Sequence, residues 1–259
     1  MRIAVCFSGQ LRTWRKCYES WHNLFSRFDI EVDYFYHFWN FNTLANILND
    51  TTPNIISQDE LDEIYDILKP KKFIIEDHDK NLKVINDLKI MGENYPLSGG
   101  TPVYWSGGQF YSHMRSVHLK RQYEIEHNFN YDICFRMRAD LFFNQSSIDD
   151  FIREFKNPKS NTIYSSHNGQ LKYFPYFKIG DMFYYSDSIT FDKISEFYRF
   201  LPVIGKTPFK NEDYPPEVPF CFFIKMLKID NFITFADPKI MRSEEYLLRK
   251  GELGNHELI

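Results

Sequence analysis

The sequence predicts an α/β protein with a mixed, mainly parallel sheet flanked by helices. The run Ile3–Phe7 is apolar throughout and stops at Ser8-Gly9, which is typical of a buried strand that delivers its carboxyl end to a loop. Apolar residues follow at helical spacing from Trp14 to Phe28, and residues 30–39 are again rich in strand-forming side chains. A strand, a loop, a helix and a second strand in this order begin a parallel sheet.

The later elements follow from their boundary signals. Ser57 and Glu60 form a capping-box pattern for a helix that Pro70 ends, and Lys72–Glu76 is a third strand. Residues 77–108 lack a periodic pattern, which in a compact domain indicates a functional or a mobile loop. The remaining predicted elements are a helix that follows Ser106-Gly107-Gly108 and runs to about His127, strands at 131–143, 162–165, 181–185 and 232–236, and helices at 188–201, from Pro215 onward and at 243–250.

Composition narrows the function classes. The 259 residues are 43% hydrophobic and 25% charged, which suits one large domain with its own core. A net charge of −4 argues against nucleic acid as the main partner, and no apolar run reaches the ~18 residues of a membrane span. The four cysteines form no C-x-x-C pair, so we expect buried free thiols in a reducing compartment. A chain that enters a strand directly from Met1 shows no signal peptide, so we expect a cytoplasmic protein.

The first candidate site is the loop Ser8–Arg12, where the first strand turns into the first helix. Open α/β sheets bind ligands beyond the carboxyl ends of their strands. Gly9 allows a tight turn, and backbone N–H groups at the helix start together with Arg12 suit a phosphate. The alternative is an ordinary strand-to-helix turn with a solvated Arg12. The motifs GxGxxG and GxxxxGK[ST] are absent, which argues against NAD dehydrogenases and P-loop NTPases.

The second candidate is the segment 131–143, a strand pattern interrupted by charge. Strand period two puts Arg136, Arg138 and Asp140 on one side and apolar residues on the other. Charged side chains on an inner strand are unfavourable unless they form ion pairs or bind a ligand. We therefore expect these three side chains to face a cleft at the carboxyl end of the strand. The arginines would then neutralise a diphosphate, and Asp140 would ligate a divalent cation. The alternative is a structural Arg–Asp network that closes a loop.

Two carboxylates are candidates for a general base. Asp181 follows Gly180 at a predicted strand start, and Glu217 follows Pro215-Pro216 in the first turn of a predicted helix. A carboxylate in a cleft can take a proton from an acceptor hydroxyl. The alternatives are a turn Asp that caps a hairpin and a Glu that the helix dipole favours whatever its role.

Three further features are less specific. Asp77-His78-Asp79 is a literal D-x-D, and two carboxylates at that spacing can share a metal. His37 and Trp39 end the second strand and are candidates for lining a nucleotide pocket, although a buried structural histidine is the alternative. His256 lies in a polar tail. Two interpretations are open: His256 is a third metal ligand, or it is a histidine of a disordered tail.

Three segments together resemble a known family. Val5–Arg12 (VCFSGQLR), Val32–Trp39 with its His-x-Trp, and Tyr131–Phe143 (YDICFRMRADLFF) are similar to small predicted glycosyltransferases of the GT-A type. These occur in polysaccharide gene clusters, including the WavE-like lipopolysaccharide proteins, and in large DNA viruses. The segment Gly180–Phe183 and the helix at Pro215-Pro216-Glu217 extend the resemblance, in patches, over residues 1–230.

The resemblance implies one GT-A-like domain over residues 1–259, with a nucleotide-sugar-binding half at 1–145 and an acceptor-side half at 146–259. It implies a nucleotide-diphosphate-sugar donor and a glycan or other hydroxyl acceptor. Asp140 stands where such enzymes carry an Asp-x-Asp, as the ligand of Mn²⁺ or Mg²⁺. Arg138 replaces the first Asp, so the cation becomes dispensable if Arg136 and Arg138 do its work. The implied donor-binding residues are Ser8, Gly9, Gln10, Arg12, His37, Trp39, Arg136, Arg138 and Asp140.

The expected function is therefore hexosyl or pentosyl transfer, in a host cytoplasm if the chain is viral. Asp181 or Glu217 would be the acceptor base of an inverting enzyme, whereas a retaining enzyme would need none. One alternative is a non-catalytic sugar- or nucleotide-binding module on the same fold. The other is another α/β transferase, such as a sulfotransferase or a nucleotidyltransferase, and the latter needs Asp77 or Asp79 near Asp140. The sequence leaves the oligomeric state open.

Overall fold

The computed structural model describes residues 1–28, 30–42, 54–77, 103–167, 179, 183–204 and 217–236. Within these residues the strands are β1 (Ile3–Gly9), β2 (Val32–Trp39), β3 (Phe41–Asn42), β4 (Asn54–Ile55), β5 (Lys72–Glu76), β6 (Ile133–Met137), β7 (Thr162–His167), β8 (Tyr184–Ser186) and β9 (Asp230–Ala236). The helices are α1 (Trp14–Ser26), α2 (Gln58–Leu68), α3 (Val103–His127), α4 (Gln145–Glu154), α5 (Ser188–Ser195), α6 (Phe197–Ile204) and α7 (Glu217–Met226).

Seven of these strands form one sheet in the order β5-β2-β1-β6-β8-β7-β9. The strands β5, β2, β1 and β6 run parallel to one another, with Ser8 opposite His37 and Cys6 opposite Arg136. The strand β8 runs antiparallel between β6 and β7, and β9 is parallel to β7. The predicted fold class, a mixed and mainly parallel sheet flanked by helices, is confirmed.

The sheet separates two apolar cores. Because side chains alternate along a strand, Val5 and Phe7 of β1 face one core while Ala4 and Cys6 face the other. The first core is covered by α1, α2 and α4, and the second by α3, α5, α6 and α7. All four cysteines are buried and free, as predicted. Among the described helices, none is both long enough and apolar enough to cross a bilayer.

The strand predicted at 131–143 is wrong in extent, because β6 ends at Met137. The chain then turns, with the Leu141 N–H bonded to the Arg138 carbonyl at 3.4 Å. Trp21 Nε1 donates to the Leu141 carbonyl at 2.7 Å, and the Leu141 side chain packs into the first core. These contacts end the strand, so the prediction that Arg136, Arg138 and Asp140 lie on one side of a single strand is wrong.

The helix boundaries also differ in places. The helix α3 begins at Val103, so it includes the two glycines from which the sequence predicted its start. The helix predicted at 188–201 is two helices, with Glu196 between α5 and α6. The N-cap prediction for α2 is confirmed, since Ser57 Oγ accepts from the Glu60 N–H at 3.2 Å. The predicted helix at 243–250 lies outside the described residues.

A buried lysine ties α3 to α5. Lys120 is 0% exposed, and its Nζ lies 2.9 Å from Glu124 Oε2 and 2.8 Å from Asp192 Oδ1. The same ammonium donates to Ser188 Oγ at the start of α5. A buried cation with two carboxylates and a hydroxyl around it is fully compensated, so removing it alone leaves the buried Glu124 and the partly exposed Asp192 without it.

We expect Lys120→Met to lower the free energy of unfolding by about 3–5 kcal/mol, because the buried Glu124 and the partly exposed Asp192 lose their counter-ion. Urea denaturation followed by circular dichroism measures this loss. The matched control is Lys72→Met, which removes a partly exposed pair with Glu126 (2.7 Å). The control should lose less than about 1 kcal/mol. Equal losses in the two variants would contradict a special role for the buried pair.

Candidate functional site

The strand order creates a crevice at one edge of the sheet. From β1 the chain passes to β2 and then β5 on one side, and it returns to β6 on the other side of β1. Because these strands are parallel, their carboxyl ends share one edge, and the loops after β1 and β6 begin next to each other at the point where the strand order reverses. Such a topological switch point is where open α/β sheets bind ligands.

The loop after β1 has a constrained backbone. Gly9 has φ 109° and its N–H donates to Ser112 Oγ of α3 at 2.6 Å. Arg12 has φ 48°, a left-handed conformation that is unfavourable for a non-glycine residue by roughly 1–2 kcal/mol. Backbone strain of this kind gathers at functional sites, since surrounding structure must maintain it. The loop therefore holds Arg12 in place against its local preference.

Arg12, Arg138 and Asp140 form a cluster across the crevice. Arg138 donates from Nε to Asp140 Oδ1 at 2.8 Å and from Nη2 to Oδ2 at 2.5 Å. Arg12 Nη1 donates to Asp140 Oδ2 at 3.2 Å from the opposite loop. The Asp140 side chain is 7% exposed, whereas Arg138 is 17% and Arg12 34% exposed. The carboxylate lies inside and the cations reach toward solvent, so a ligand can approach the guanidinium groups.

The cluster holds two guanidinium groups around one carboxylate. Burial disfavours the ionised form of Asp140, but Arg138 and then Arg12 outweigh it and lower the pKa of the carboxyl. Asp140 is therefore an anion at neutral pH, and both cations bond to it. Guanidinium groups in this arrangement suit phosphate oxygens, which they bind with paired N–H donors.

The residues around Asp140 do not fit a divalent cation. Mg²⁺ and Mn²⁺ favour shells of oxygen ligands, but both Asp140 oxygens accept from guanidinium groups. In the part of the chain that the structure describes, no group of three or more His, Cys, Asp and Glu side chains could hold a metal. Asp77 directly follows β5, and β5 is separated from β6 by three strand spacings, or roughly 14 Å. It is too distant to share an ion with Asp140.

A second polar network lies beside the crevice, under α3. His37 Nδ1 lies 2.8 Å from Ser112 Oγ, and its Nε2 lies 3.5 Å from Glu76 Oε1. Glu76 also accepts from Tyr111 at 3.0 Å and from Arg115 at 2.9 Å. Burial opposes ionisation of Glu76, but His37, Tyr111 and Arg115 lower its pKa to about 2. Burial lowers the pKa of His37, which is neutral at pH 7.

Sequence reasoning missed Glu76 as a member of this network. It ends the third parallel strand, so the rule that side chains at carboxyl ends meet at one edge could have selected it. Tyr111, Ser112 and Arg115 gave no such signal, because they reach the edge only through the packing of α3 against β1 and β2.

The structure brings together some of the predicted site residues and separates others. Arg12, Arg138 and Asp140 meet, and Gln10 Oε1 accepts from Arg12 Nε at 3.1 Å. Ser8 and His37 are fully buried on the α3 side, and Trp39 stacks on Tyr111 at 5.6 Å. Arg136 is buried in the second core, away from that cluster. Glu217 is the first residue of α7, as predicted, but the structure does not describe the position of its side chain. Four other predicted residues, Asp181, His78, Asp79 and His256, lie outside the described residues.

Comparisons with known proteins give only remote similarities. No family description matches the sequence, and no curated protein matches it. One similar solved structure is a glycosyltransferase involved in the glycosylation of the major capsid of PBCV-1, with TM-score 0.42, 10% identity, and coverage of 90% of this chain and 82% of that one. Another is mouse xyloside xylosyltransferase 1 in its apo form, with TM-score 0.41, 10% identity, and coverage of 90% and 85%.

The Glu76 network predicts a defined pH dependence of stability. A carboxyl whose pKa is lowered on folding stabilises the protein above its ordinary pKa of about 4.5, and the contribution disappears as pH falls toward about 2. Glu76→Gln should therefore be less stable than the parent at pH 6, by about 1–3 kcal/mol, and the difference should close below pH 4.5. Urea titrations at a series of pH values measure it. Glu126→Gln, at an exposed ion pair, is the control, and a gap of constant size down to pH 2 would contradict the assignment.

Proposed function

We propose that the chain is a glycosyltransferase that moves a sugar from a nucleotide-diphosphate donor to a hydroxyl of a glycan or glycoconjugate. The observation that carries this proposal is the cluster of Arg12, Arg138 and Asp140 at the switch point between β1 and β6. Two guanidinium groups held side by side at that edge suit the diphosphate of a nucleotide sugar.

The chemistry of glycosyl transfer fits these side chains. When the bond between the sugar and the diphosphate breaks, negative charge grows on the leaving phosphate oxygen. Arg138 and Arg12 would donate to that oxygen and stabilise the charge as it develops, a contribution worth roughly 10²–10³ in rate for a single donor. The strained backbone at Arg12 and the carboxylate of Asp140 hold both guanidinium groups in position before the donor arrives.

Asp140 acts in this proposal as a positioning residue. Each of its oxygens accepts from a guanidinium group, so it orients the two cations relative to each other. The same contacts support a metal-independent reaction, in which the arginines replace the cation that the sequence resemblance implied. No step of the proposed reaction passes through a metal.

The residue that acts as the acceptor base is proposed from the sequence. Asp181 or Glu217 would take the proton of the acceptor hydroxyl in an inverting reaction, and general-base assistance of this kind contributes roughly 10²–10⁴ in rate. Support for Glu217 is its place at the first residue of α7, whose Phe220 packs in the core beneath the β6–β8 pair. A nucleotidyltransferase is not supported, because the position of Asp77 at the end of β5 leaves Asp140 without a described second acid.

Arg138→Gln should weaken the binding of a nucleoside diphosphate by about 10- to 100-fold, since a hydrogen bond to a charged group contributes roughly 1.5–3 kcal/mol. Isothermal titration calorimetry with UDP, GDP, CDP and dTDP identifies the base and measures the loss. Arg153→Gln is the matched control, because Arg153 is an exposed arginine paired with Asp150 at 2.7 Å. Unchanged affinity in folded Arg138→Gln would remove this residue from the donor site.

Turnover separates an enzyme from a binding module. Incubation with the corresponding nucleotide sugars should release nucleoside diphosphate, by transfer or by hydrolysis. The rate with EDTA should stay within about twofold of the rate with Mn²⁺, because guanidinium groups and not a cation face the leaving group. A phosphatase-coupled assay detects the release. Loss of turnover in EDTA would show a required cation, and tight binding without any release would identify a non-catalytic module.

A further inference from the structure

Arg136 occupies an unusual position in the middle of the sheet. It lies in β6 between Cys6 of β1 and Tyr184 of β8, and its side chain faces α3. The guanidinium carbon is 5.5 Å from the centre of the Phe110 ring and 5.8 Å from that of Tyr184. The residue is 0% exposed. A permanently charged group is thus enclosed between two aromatic rings.

Among the residues that the structure describes, this guanidinium has no hydrogen-bond partner. Nε, Nη1 and Nη2 are all buried and unbonded, and the described part of the chain supplies no carboxylate within ion-pair distance. Lys120 provides the contrast within the same core, since it is equally buried but has Glu124, Asp192 and Ser188 around it. Contacts with aromatic faces stabilise a cation only partly. The fold compensates one buried cation completely and leaves the other without an anion.

Within the described part of the chain, two more side chains on the same side of the sheet each bury a polar atom that has no hydrogen-bond partner. His113 of α3 bonds through Nε2 to the Tyr184 hydroxyl at 2.6 Å, which leaves its Nδ1 unbonded. Burial and then the neighbouring Arg136 lower the pKa of His113 well below its ordinary value, so the ring is neutral. Ser8 Oγ is also unbonded, and Ser8 lies one pleat beyond Cys6, the residue opposite Arg136. An unbonded guanidinium, an unbonded imidazole nitrogen and an unbonded hydroxyl therefore lie on the α3 side of the sheet, toward the carboxyl ends of β1 and β6.

Buried polar groups without hydrogen-bond partners require an explanation, and one common explanation is that they bind a ligand or an ion. An unpaired buried charge is strongly unfavourable, and arginine cannot relieve it by losing its proton. We propose that Arg136, with His113 Nδ1 and Ser8 Oγ, forms a buried binding site for an anionic oxygen group, a phosphate or a carboxylate. The tautomer with the proton on Nδ1 would let all three groups donate to that anion.

The site is separate from the cluster of Arg12, Arg138 and Asp140. That cluster borders the first core, which contains Ala139 and Leu141 on either side of Asp140, whereas the Arg136 side chain lies against Phe110 of α3 and Tyr184 of β8. A donor phosphate and the carboxylate of an acidic sugar are two sources of the same anion chemistry. The inference does not require glycosyl transfer, since it needs only an anion that reaches Arg136.

The test compares urea unfolding of the whole chain in Hepes alone, with sodium phosphate, with sodium glucuronate, and with sodium chloride at matched ionic strength. We expect phosphate or glucuronate, but not chloride, to raise the unfolding midpoint, with an equal increment for each tenfold rise above the dissociation constant. The anion that acts identifies the source. Arg136→Met should be at least as stable as the parent without anion and should not respond, since an apolar residue replaces an uncompensated charge.

Two further variants keep the result decisive if Arg136→Met fails to fold. Ser8→Ala removes one donor and should reduce the response to the effective anion, while Arg138→Gln should retain it. An absent response in the parent protein would overturn the proposal. So would a full response in Arg136→Met or in Ser8→Ala. Loss of nucleotide binding in Arg138→Gln with the anion response intact would separate this site from the proposed donor site.

Discussion

The position of β1 between β2 and β6, all parallel, is the constraint on which the candidate site depends. It brings the loop after β1 and the loop after β6 to one edge, although Arg12 and Asp140 are 128 residues apart in the chain. The carboxylate of Asp140 then joins the two loops by accepting from a guanidinium on each. Without this strand order, the same two segments would be an ordinary helix entry and an ordinary turn.

Buried charge is handled in two ways in this protein. Around Lys120 every charge has a partner, and the result is a rigid contact between α3 and α5. Around Arg136 the partners are aromatic rings and a neutral histidine, so the positive potential stays available to a ligand. A protein retains an uncompensated buried cation at the expense of stability, and binding an anion is the simplest function that restores it. Asp140 lies between these cases, because its burial is offset by two cations that themselves reach solvent.

The helix α3 connects the edge of the sheet to both polar networks. Ser112 accepts from the Gly9 N–H and bonds to His37, while Tyr111 and Arg115 bind Glu76. One turn of α3 thus positions the end of β1, the end of β2 and the end of β5. His113, on the opposite side of that turn, contacts Tyr184 of β8. A shift of α3 along its axis would alter all of these contacts together.

Local sequence alone determined the β-α-β start, the Ser57 cap of α2 and the mixed parallel class, because these follow from residue periodicity and from hydrogen bonds between near neighbours. It also identified Arg12, Arg138 and Asp140, since charge next to an apolar strand is visible without a structure. Tertiary structure decided where β6 ends, because Trp21 of α1 holds the Leu141 carbonyl and turns the chain. It also decided that Arg136 faces α3 without Arg138 and Asp140 beside it, and that Glu76 contacts His37. Those outcomes depend on which strand lies next to which, and period-two alternation within one strand carries no information about its neighbours.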